Sequence, residues 1–452
     1  MGGPLRFLLL CLVGCASAAG AVDPPFAPAK AGQRVVYRGA ILIDGTGARP
    51  RHAMAVVTDG ERIVAVVPAR RLTAAQAEGA RIVDLTGRWL LPGLIDSHQH
   101  LATPPEPRRA EALMRRDLYS GVTALRIMAD DLRSIAELDR AARTGEIAGP
   151  DLYFAALVAG RSFFTDPRTQ AVSAGYAPGE TPWAQAIDER TDIPLAIARA
   201  RGTGAVALKI YSDLPPDLVR RLAEEAHRQG LLVWAHGMVF PTPPAEVLAA
   251  RPDVVSHTCY LAYQAMARRP RSYRERSPID PALFADGDHP VMAELFRTMR
   301  AQRILLDPTL YVYEVIERMG RPAYCPLDLA ARLTALAHRA GVLMSAGTDA
   351  PAPWQESHPS LFDELELLVR RAGLTPLEAI RAATQIVAMT LGQGETMGVI
   401  APGRLANLVV VERDPLADIA NLRAVLFTVK RGRRFDRADY RPITAEEAAE
   451  DD

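Results

Sequence analysis

Apolar positions along this chain change rhythm twice. From Gln33 to Leu90 they come in short runs rich in Val and Ile: Arg34–Arg38, Ala40–Ile43, Ala53–Thr58, Arg62–Val67 and Arg81–Leu85. Turn signals such as Asp44-Gly45, Asp59-Gly60 and Thr86-Gly87 close these runs. They predict a small β-sandwich with one helical piece, Thr73–Glu78. After Leu90 apolar strands alternate with Ala/Leu/Arg/Glu-rich helical runs such as Pro216–Gln229 and Leu327–Ala340. The predicted strands are Leu90–His98, Thr123–Met128, Leu152–Leu157, Ala205–Tyr211, Leu231–His236, Val254–His257, Ile304–Leu306 and Val342–Ser345. Eight strands alternating with helices suit a (β/α)8 TIM barrel. A doubly wound open sheet is the rival, but no Gly-x-Gly-x-x-Gly follows an early strand. One further helix, Pro376–Leu391, precedes strands at Thr396–Ile400, Ala406–Val411 and Ala424–Lys430.

The expected architecture is α/β: a (β/α)8 TIM barrel over 90–392 with a small discontinuous β-sandwich from 33–89 and 393–437. An acidic tail, 438–452, follows, with Thr444–Asp452 expected to fray. Residues 1–20 read as an export signal. Arg6 precedes the apolar run Phe7–Val13, which is too short to span a bilayer. Leu12-Val13-Gly14-Cys15 resembles a bacterial lipobox, whose cysteine would be acylated; Ala16-Ser17-Ala18 suits ordinary signal cleavage instead. The apolar run stops at Cys15, which favours the lipobox. Residues 21–32, with Pro24-Pro25-Phe26-Ala27-Pro28, form a tether. The expected location is periplasmic, or lipid-anchored to the outer face of a bacterial membrane.

Charge narrows the partners. Lys+Arg and Asp+Glu number 53 each, so nothing favours nucleic acid or an acidic membrane surface. Small molecules are the expected partners, with membrane contact only through Cys15 and a homo-oligomer left open. Beyond the leader only Cys259 and Cys325 remain, too few for a disulfide framework, and the sequence leaves their pairing open.

Barrel strands present functional side chains at their carboxyl ends. The first predicted strand ends in His98, with His100 two residues on, so both imidazoles face one space. Lys209 ends the fourth strand, His236 the fifth, His257 the sixth, and the eighth runs into Asp349. Each alone has an ordinary structural explanation: a hydrogen-bonded histidine, a salt-bridged lysine, an aspartate N-cap. Six metal-competent groups at one end of one barrel point instead to a metal centre. Zinc favours nitrogen and carboxylate ligands and keeps a position open for water in catalytic sites.

These residues sit in stretches that resemble the amidohydrolase superfamily, in its imidazolonepropionase-like and Xaa-Pro dipeptidase-like branch. The stretches are Ile43-Asp44-Gly45-Thr46-Gly47, Pro92-Gly93-Leu94-Ile95-Asp96-Ser97-His98-Gln99-His100, Gly121-Val122-Thr123 and Leu208-Lys209-Ile210. Others are Ala235-His236-Gly237, Ser256-His257, Ala346-Gly347-Thr348-Asp349 and the ending Gly398–Val410. The resemblance implies two divalent metal ions, read as Zn²⁺. It places the more buried ion on His98, His100 and Asp349 and the more exposed one on His236 and His257. Lys209 would bridge them as a carbamate made with carbon dioxide. An ammonium beside two dications would be repelled, and burial depresses a lysine pKa, so the neutral amine is available for that capture. One departure is His257-Thr258-Cys259-Tyr260, where relatives often have glycine after the histidine. It bears on the shape of the substrate pocket.

The expected activity is metal-dependent hydrolysis of a carbon–nitrogen bond in a cyclic amide or N-acyl compound. A metal-bridging hydroxide attacks the carbonyl, and Asp349 serves as general base and then acid. An Xaa-Pro or N-acyl amino acid dipeptidase is the second reading. A non-catalytic binding barrel is the remote third, and it predicts lost ligands where none is missing. No Gly-x-Ser-x-Gly supports a serine hydrolase. Arg161, Tyr211, Tyr260, Tyr311 and His358 lie near strand ends or in the loop after Asp349, and are the candidate substrate contacts.

Overall fold

The computed structural model describes residues 23–285, 289–321 and 323–449. The expected leader, with Cys15, lies outside these residues. Two sheets organise the chain. The first has eight strands: β1 (Arg34–Leu42), β2 (Arg51–Asp59), β3 (Arg62–Pro68), β4 (Arg81–Asp84), β5 (Trp89–Pro92), β15 (Leu408–Val411), β16 (Val425–Lys430) and β17 (Arg433–Asp436). The second has nine: β6 (Leu94–Gln99), β7 (Val122–Met128), β8 (Asp151–Gly160), β9 (Glu180–Thr181), β10 (Ala184–Ile187), β11 (Ala207–Ile210), β12 (Leu232–His236), β13 (Val254–Ser256) and β14 (Leu305–Asp307).

The second sheet is a nearly closed parallel barrel with helices in its crossovers. Its fully buried strands read as continuous apolar runs because both faces are covered. Ile95, Tyr153, Trp234 and Leu305 belong to one buried apolar cluster with Val387 and Leu391. The Trp234 indole donates to the Thr390 carbonyl at 3.0 Å, so the helical segment Val387–Thr390 packs against this cluster. Around the first sheet, both termini of the chain share a core of Tyr37, Val56, Leu90, Val410 and Phe427. The link is direct, since β15 pairs antiparallel with β5 from Leu408↔Pro92 to Val411↔Trp89.

Several expectations are corrected. The predicted strand Leu90–His98 is two strands in two different sheets, separated at Gly93. Gly93 N donates to Asn407 O at 2.9 Å on one side, and Leu94 N to Gly121 O at 2.9 Å on the other. A Cβ at Gly93 would run into Thr123 Oγ1 and Cγ2, so only glycine lets the chain cross there. The eighth barrel strand, expected at Val342–Ser345, is reduced to a Leu306↔Met344 bridge. The Ser97 N–H reaches the Ala346 carbonyl at 2.9 Å on its other side. Thr396–Ile400 forms turns, not a strand, because Gly398 takes φ +86° while packed on Ala388. The helix over Pro376–Leu391 has a π-helical turn at Ala382–Ile386, and the Ala382 carbonyl accepts from Ala346 N at 3.2 Å. The tail expected to fray forms a short helix, Ala445–Ala448, with a Thr444/Glu447 capping box. Glu447 holds Arg115 through two 2.9 Å hydrogen bonds. The hairpin β9–β10 and the arginine-rich β17 have no counterpart in the sequence reading; both are short, and β17 is polar.

Replacing Gly93 with Ala is expected to lower stability by about 1–3 kcal/mol through overpacking against Thr123. Denaturant midpoints check this, and Thr123→Ala in the same chain should recover part of the loss.

Candidate metal centre

Metal-competent side chains from several barrel strands and the loops that follow them converge at one place. β6 carries His98, and the chain just beyond it His100. Asp349 Oδ1 lies 3.2 Å from His98 Nε2 and 3.3 Å from His100 Nε2. Its Oδ2 lies 3.8 Å from His257 Nδ1. The His257 ring centroid is 5.0 Å from those of His98 and His236. His98, His257 and Asp349 each aim a donor atom within 4.8 Å of the others. Gly347 permits the approach, since a Cβ there would overlap Asp307 Oδ1. His257 and Asp349 both have positive φ, 70° and 54°, held by backbone bonds to Asp307 O (2.8 Å) and His98 O (2.9 Å). Such strain persists where the surroundings over-determine it, as at functional sites.

The other nitrogen of three of the imidazoles is already engaged. His98 Nδ1 contacts Asp307 Oδ2 at 2.7 Å, His100 Nδ1 contacts Asp130 Oδ1 at 2.9 Å, and His257 Nδ1 contacts the Thr309 hydroxyl at 2.8 Å. Carboxylate acceptors on Nδ1 fix its proton and leave the Nε2 lone pair facing inward, the arrangement of metal-ligating histidines. Two such lone pairs and a carboxylate oxygen around one point repel unless a cation or proton lies among them. Without a metal the balance falls on His100. Burial works against its charge, but Asp130 and Asp349 raise it to about 9. Asp349 is held far below the carboxylate range: burial would raise it, and His98, His100 and His257 outweigh that.

Two buried groups beside these ligands have no hydrogen-bond partner, Lys209 Nζ and His236 Nδ1. Burial and then Arg126 lower Lys209 to about 7. Burial, then Lys209 and His257, hold His236 well below the usual histidine value, so it is neutral. Orphaned buried polar atoms are costly and call for a missing partner. Divalent cations fit this set of imidazole, carboxylate and neutral amine donors.

The expected substrate contacts divide. Tyr211 packs on His236 with ring centroids 4.1 Å apart, and Tyr260 lies 5.1 Å from the same ring. The other three lie elsewhere. Arg161 starts the turn Arg161–Thr165, points to solvent and pairs with Asp188 at 3.3 Å. Tyr311 faces Arg318 in a cavity of about 400 Å³ that Ala352 and Trp354 also line. The His358 Nε2 bonds the Arg423 carbonyl at 3.1 Å, tying its loop to residues beyond the barrel. In their place Tyr273 and Arg276 come from the irregular segment after His257. Tyr273 lies nearly parallel to His236, 6.3 Å away and inclined by 22°. Asp307, Asp130 and Thr309 were also unanticipated. Asp307 ends β14, so the strand-end rule would have found it. Cys259 and Cys325, left open by sequence, are disulfide-bonded.

Comparison with known proteins agrees with this fold. The Amidohydrolase family model matches residues 89–435, over three quarters of the chain. The ochratoxinase of Aspergillus niger is 26% identical, covering 89% of this chain and 86% of its own. Its crystal structure superposes with TM-score 0.71 at 22% identity, over 89% of this chain and 96% of that one. Imidazolonepropionase from Chromobacterium violaceum is 26% identical over 83% of this chain and 88% of its own. A Xaa-Pro dipeptidase crystallised with methionine in its active site gives TM-score 0.68 at 21% identity, covering 89% and 100% of the two chains.

In metal-free protein, the neutral buried histidines set the acid arm of stability. His257 titrates at about 3 when folded, because burial opposes its charge, against 6.5 as the ordinary value. The unfolded chain therefore binds more protons in that window, and stability falls as pH drops from about 6.5 toward 3. The slope approaches about 1.4 kcal/mol per pH unit for each such histidine. His257→Gln should remove one such contribution in pH-dependent denaturation; an unchanged slope would refute the assignment.

Proposed function

This chain belongs to the amidohydrolase family and is a hydrolase of carbon–nitrogen bonds, and from that premise we propose that it cleaves a cyclic amide or N-acyl bond. The reaction takes place among His98, His100, Lys209, His236, His257 and Asp349. The observation that carries this reading is the pair of orphaned donors, Lys209 Nζ and His236 Nδ1, facing the three convergent ligands His98, His257 and Asp349. His98, His100 and Asp349 would hold one cation, and His236 and His257 a second. Lys209 would lie between them. Its neutral amine can form a nitrogen–carbon bond to carbon dioxide and release a proton, giving a carbamate with two oxygens for two cations. Divalent cations in this site, read as Zn²⁺, supply Lewis acidity, acidifying water and polarising an amide carbonyl.

The chain's own groups do the rest. Asp349 is ionised throughout the physiological range, so it can take a proton from the attacking water and release it to the leaving nitrogen. Asp307 and Asp130 keep two imidazoles in one tautomer, and Thr309 helps to orient a third, which preorganises the site. Tyr211 and Tyr260 wall the space beside His236 and exclude water from one side. A dipeptidase acting on Xaa-Pro or N-acyl amino acids is the second reading, favoured by a guanidinium at the same wall. The disulfide supports an exported protein, since such bonds persist in oxidising compartments.

Elemental analysis should find two divalent metals per chain, and a chelator should abolish turnover. Asp349→Asn is expected to keep bound metal while lowering kcat about 10²- to 10⁴-fold on whichever amide is active in a screen of N-acyl amino acids, dipeptides and lactams. Near-normal turnover in that variant would remove Asp349 from the proton path.

A further inference from the structure

Two stretches of chain leave the metal centre and meet again at one buried side chain. The first runs from His100 into the helix Pro107–Tyr119, the second from Asp349 into the irregular segment 350–360. Arg116 lies on that helix and is only 2% exposed. Its Nη1 donates to the Pro353 carbonyl at 2.8 Å and the Glu356 carbonyl at 3.3 Å, and its Nη2 to the Ala352 carbonyl at 3.3 Å. Its Nε has no partner. Among the described residues no carboxylate lies within ion-pair distance of it, and burial raises the neighbouring Asp117 carboxyl to about 8. A buried cation without an anion is costly. All of the hydrogen bonds that offset this cost go to the three or four peptide units just past Asp349.

That segment has little else to hold it. Pro351 and Pro353 lack an N–H, so the chain there cannot close on itself through a regular ladder. Among the described residues its one internal backbone bond over 350–358 runs from Glu356 N to Pro353 O, at 3.0 Å. On the far side Pro351, Ala352, Pro353 and Trp354 line a cavity of about 400 Å³, so packing supports it weakly there. Yet its first residue follows Asp349, whose φ of +54° is unfavourable for any residue with a Cβ. Such a conformation lasts only where its surroundings over-determine it. Upstream the Asp349 N–H is held by the His98 carbonyl at 2.9 Å. Downstream the Ser360 hydroxyl holds the Ala350 carbonyl at 2.8 Å, and Arg116 holds the three carbonyls beyond it.

We propose that Arg116 is a positioning residue of the metal centre: by gathering three carbonyls of the segment after Asp349, it fixes that carboxylate against His98 and His100. The planar fork of a guanidinium can reach several carbonyls at once, which an ammonium on a flexible stem cannot. The helix that follows His100 is thereby tied to the chain that follows Asp349, so two ligands of one cation are braced by a single side chain. This inference rests on the metal-centre reading above.

The test is a double-mutant cycle read by zinc affinity. Zn²⁺ is titrated into metal-free wild type, Arg116→Met, Asp349→Asn and the double variant, in bicarbonate buffer with a competing chelator of known affinity. Asparagine keeps a weaker oxygen ligand and tolerates the left-handed backbone, so binding stays measurable. Arg116→Met should weaken one zinc-binding step about 10- to 100-fold, the same step that Asp349→Asn weakens. In the Asp349→Asn background it should add nothing further. Arg116→Lys, the safer variant for folding, should weaken the same step by less. Unchanged zinc affinity in folded Arg116→Met overturns the proposal. So does an equal loss in both backgrounds, because that is how an arginine serving only general stability would behave. Wild type that binds no zinc sinks the metal reading and this inference together. The expected cycle in a protein that hydrolyses no amide keeps the inference and sinks only the hydrolase reading.

Discussion

A buried carboxylate, Asp307, ties the barrel together beneath the site. It is fully buried and accepts from Arg126 Nη2 (2.7 Å), Ser97 Oγ (3.0 Å) and Ser256 Oγ (3.0 Å), and it contacts His98 Nδ1 at 2.7 Å. Those partners belong to β6, β7 and β13, so one side chain on β14 fixes the relative height of four strands. Burial alone would raise its pKa, but Arg126 and His98 hold it down to about 2. A buried ion pair contributes little net stability compared with an apolar replacement, yet breaking one side of it is expensive. The barrel therefore accepts a costly interaction whose return is geometric: His98 has one orientation. Arg126 also lies 4.8 Å from the Trp234 ring, joining the polar layer to the apolar one below.

The two sheets are coupled by a similar device. Lys430 at the end of β16 is buried and donates to the Ala142 and Gly149 carbonyls at 2.9 and 2.7 Å, with Asp151 at 2.9 Å. Asp151 opens β8, so the carboxyl-terminal part of the chain is bolted to the start of a barrel strand. Gly93 makes the other crossing, where one extended stretch serves both sheets in succession. The β-rich domain thus braces the amino-terminal ends of the strands, while the opposite ends are free to carry chemistry.

Much of this was legible in sequence because strand ends are where apolar runs stop. His98, Lys209, His236, His257 and Asp349 each follow such a run, and the barrel's topology converts five separate stops into one place. What stayed hidden had no periodic signal. The break at Gly93 leaves the apolar run Leu90–Ile95 uninterrupted, and only the position of Thr123 demands it. The eighth strand is a single bridge because its hydrogen bonds are shared with the Ala382 carbonyl of a π-helical turn, a partner far along the chain. Arg161, Tyr311 and His358 were reasonable types in reasonable places, but each is claimed by a local partner: Asp188, Arg318 and the Arg423 carbonyl.

The same contrast explains where recognition resides. The groups that converge for chemistry come from strand ends, whose positions the barrel dictates, whereas apart from Tyr211, which follows β11, the aromatic wall comes from irregular segments that carry Tyr260, Tyr273 and Tyr324. A loop can hold a reactive geometry only if something else supplies rigidity, since ordering flexible side chains on binding costs free energy. Here the Cys259–Cys325 bond, the Tyr260–Tyr324 stack and the Asp213 contact to Tyr273 supply it before any ligand arrives. Cys259 is therefore part of the recognition surface through its bond to Cys325. Chemistry is fixed by the fold, and selectivity by how its least regular segments are pinned.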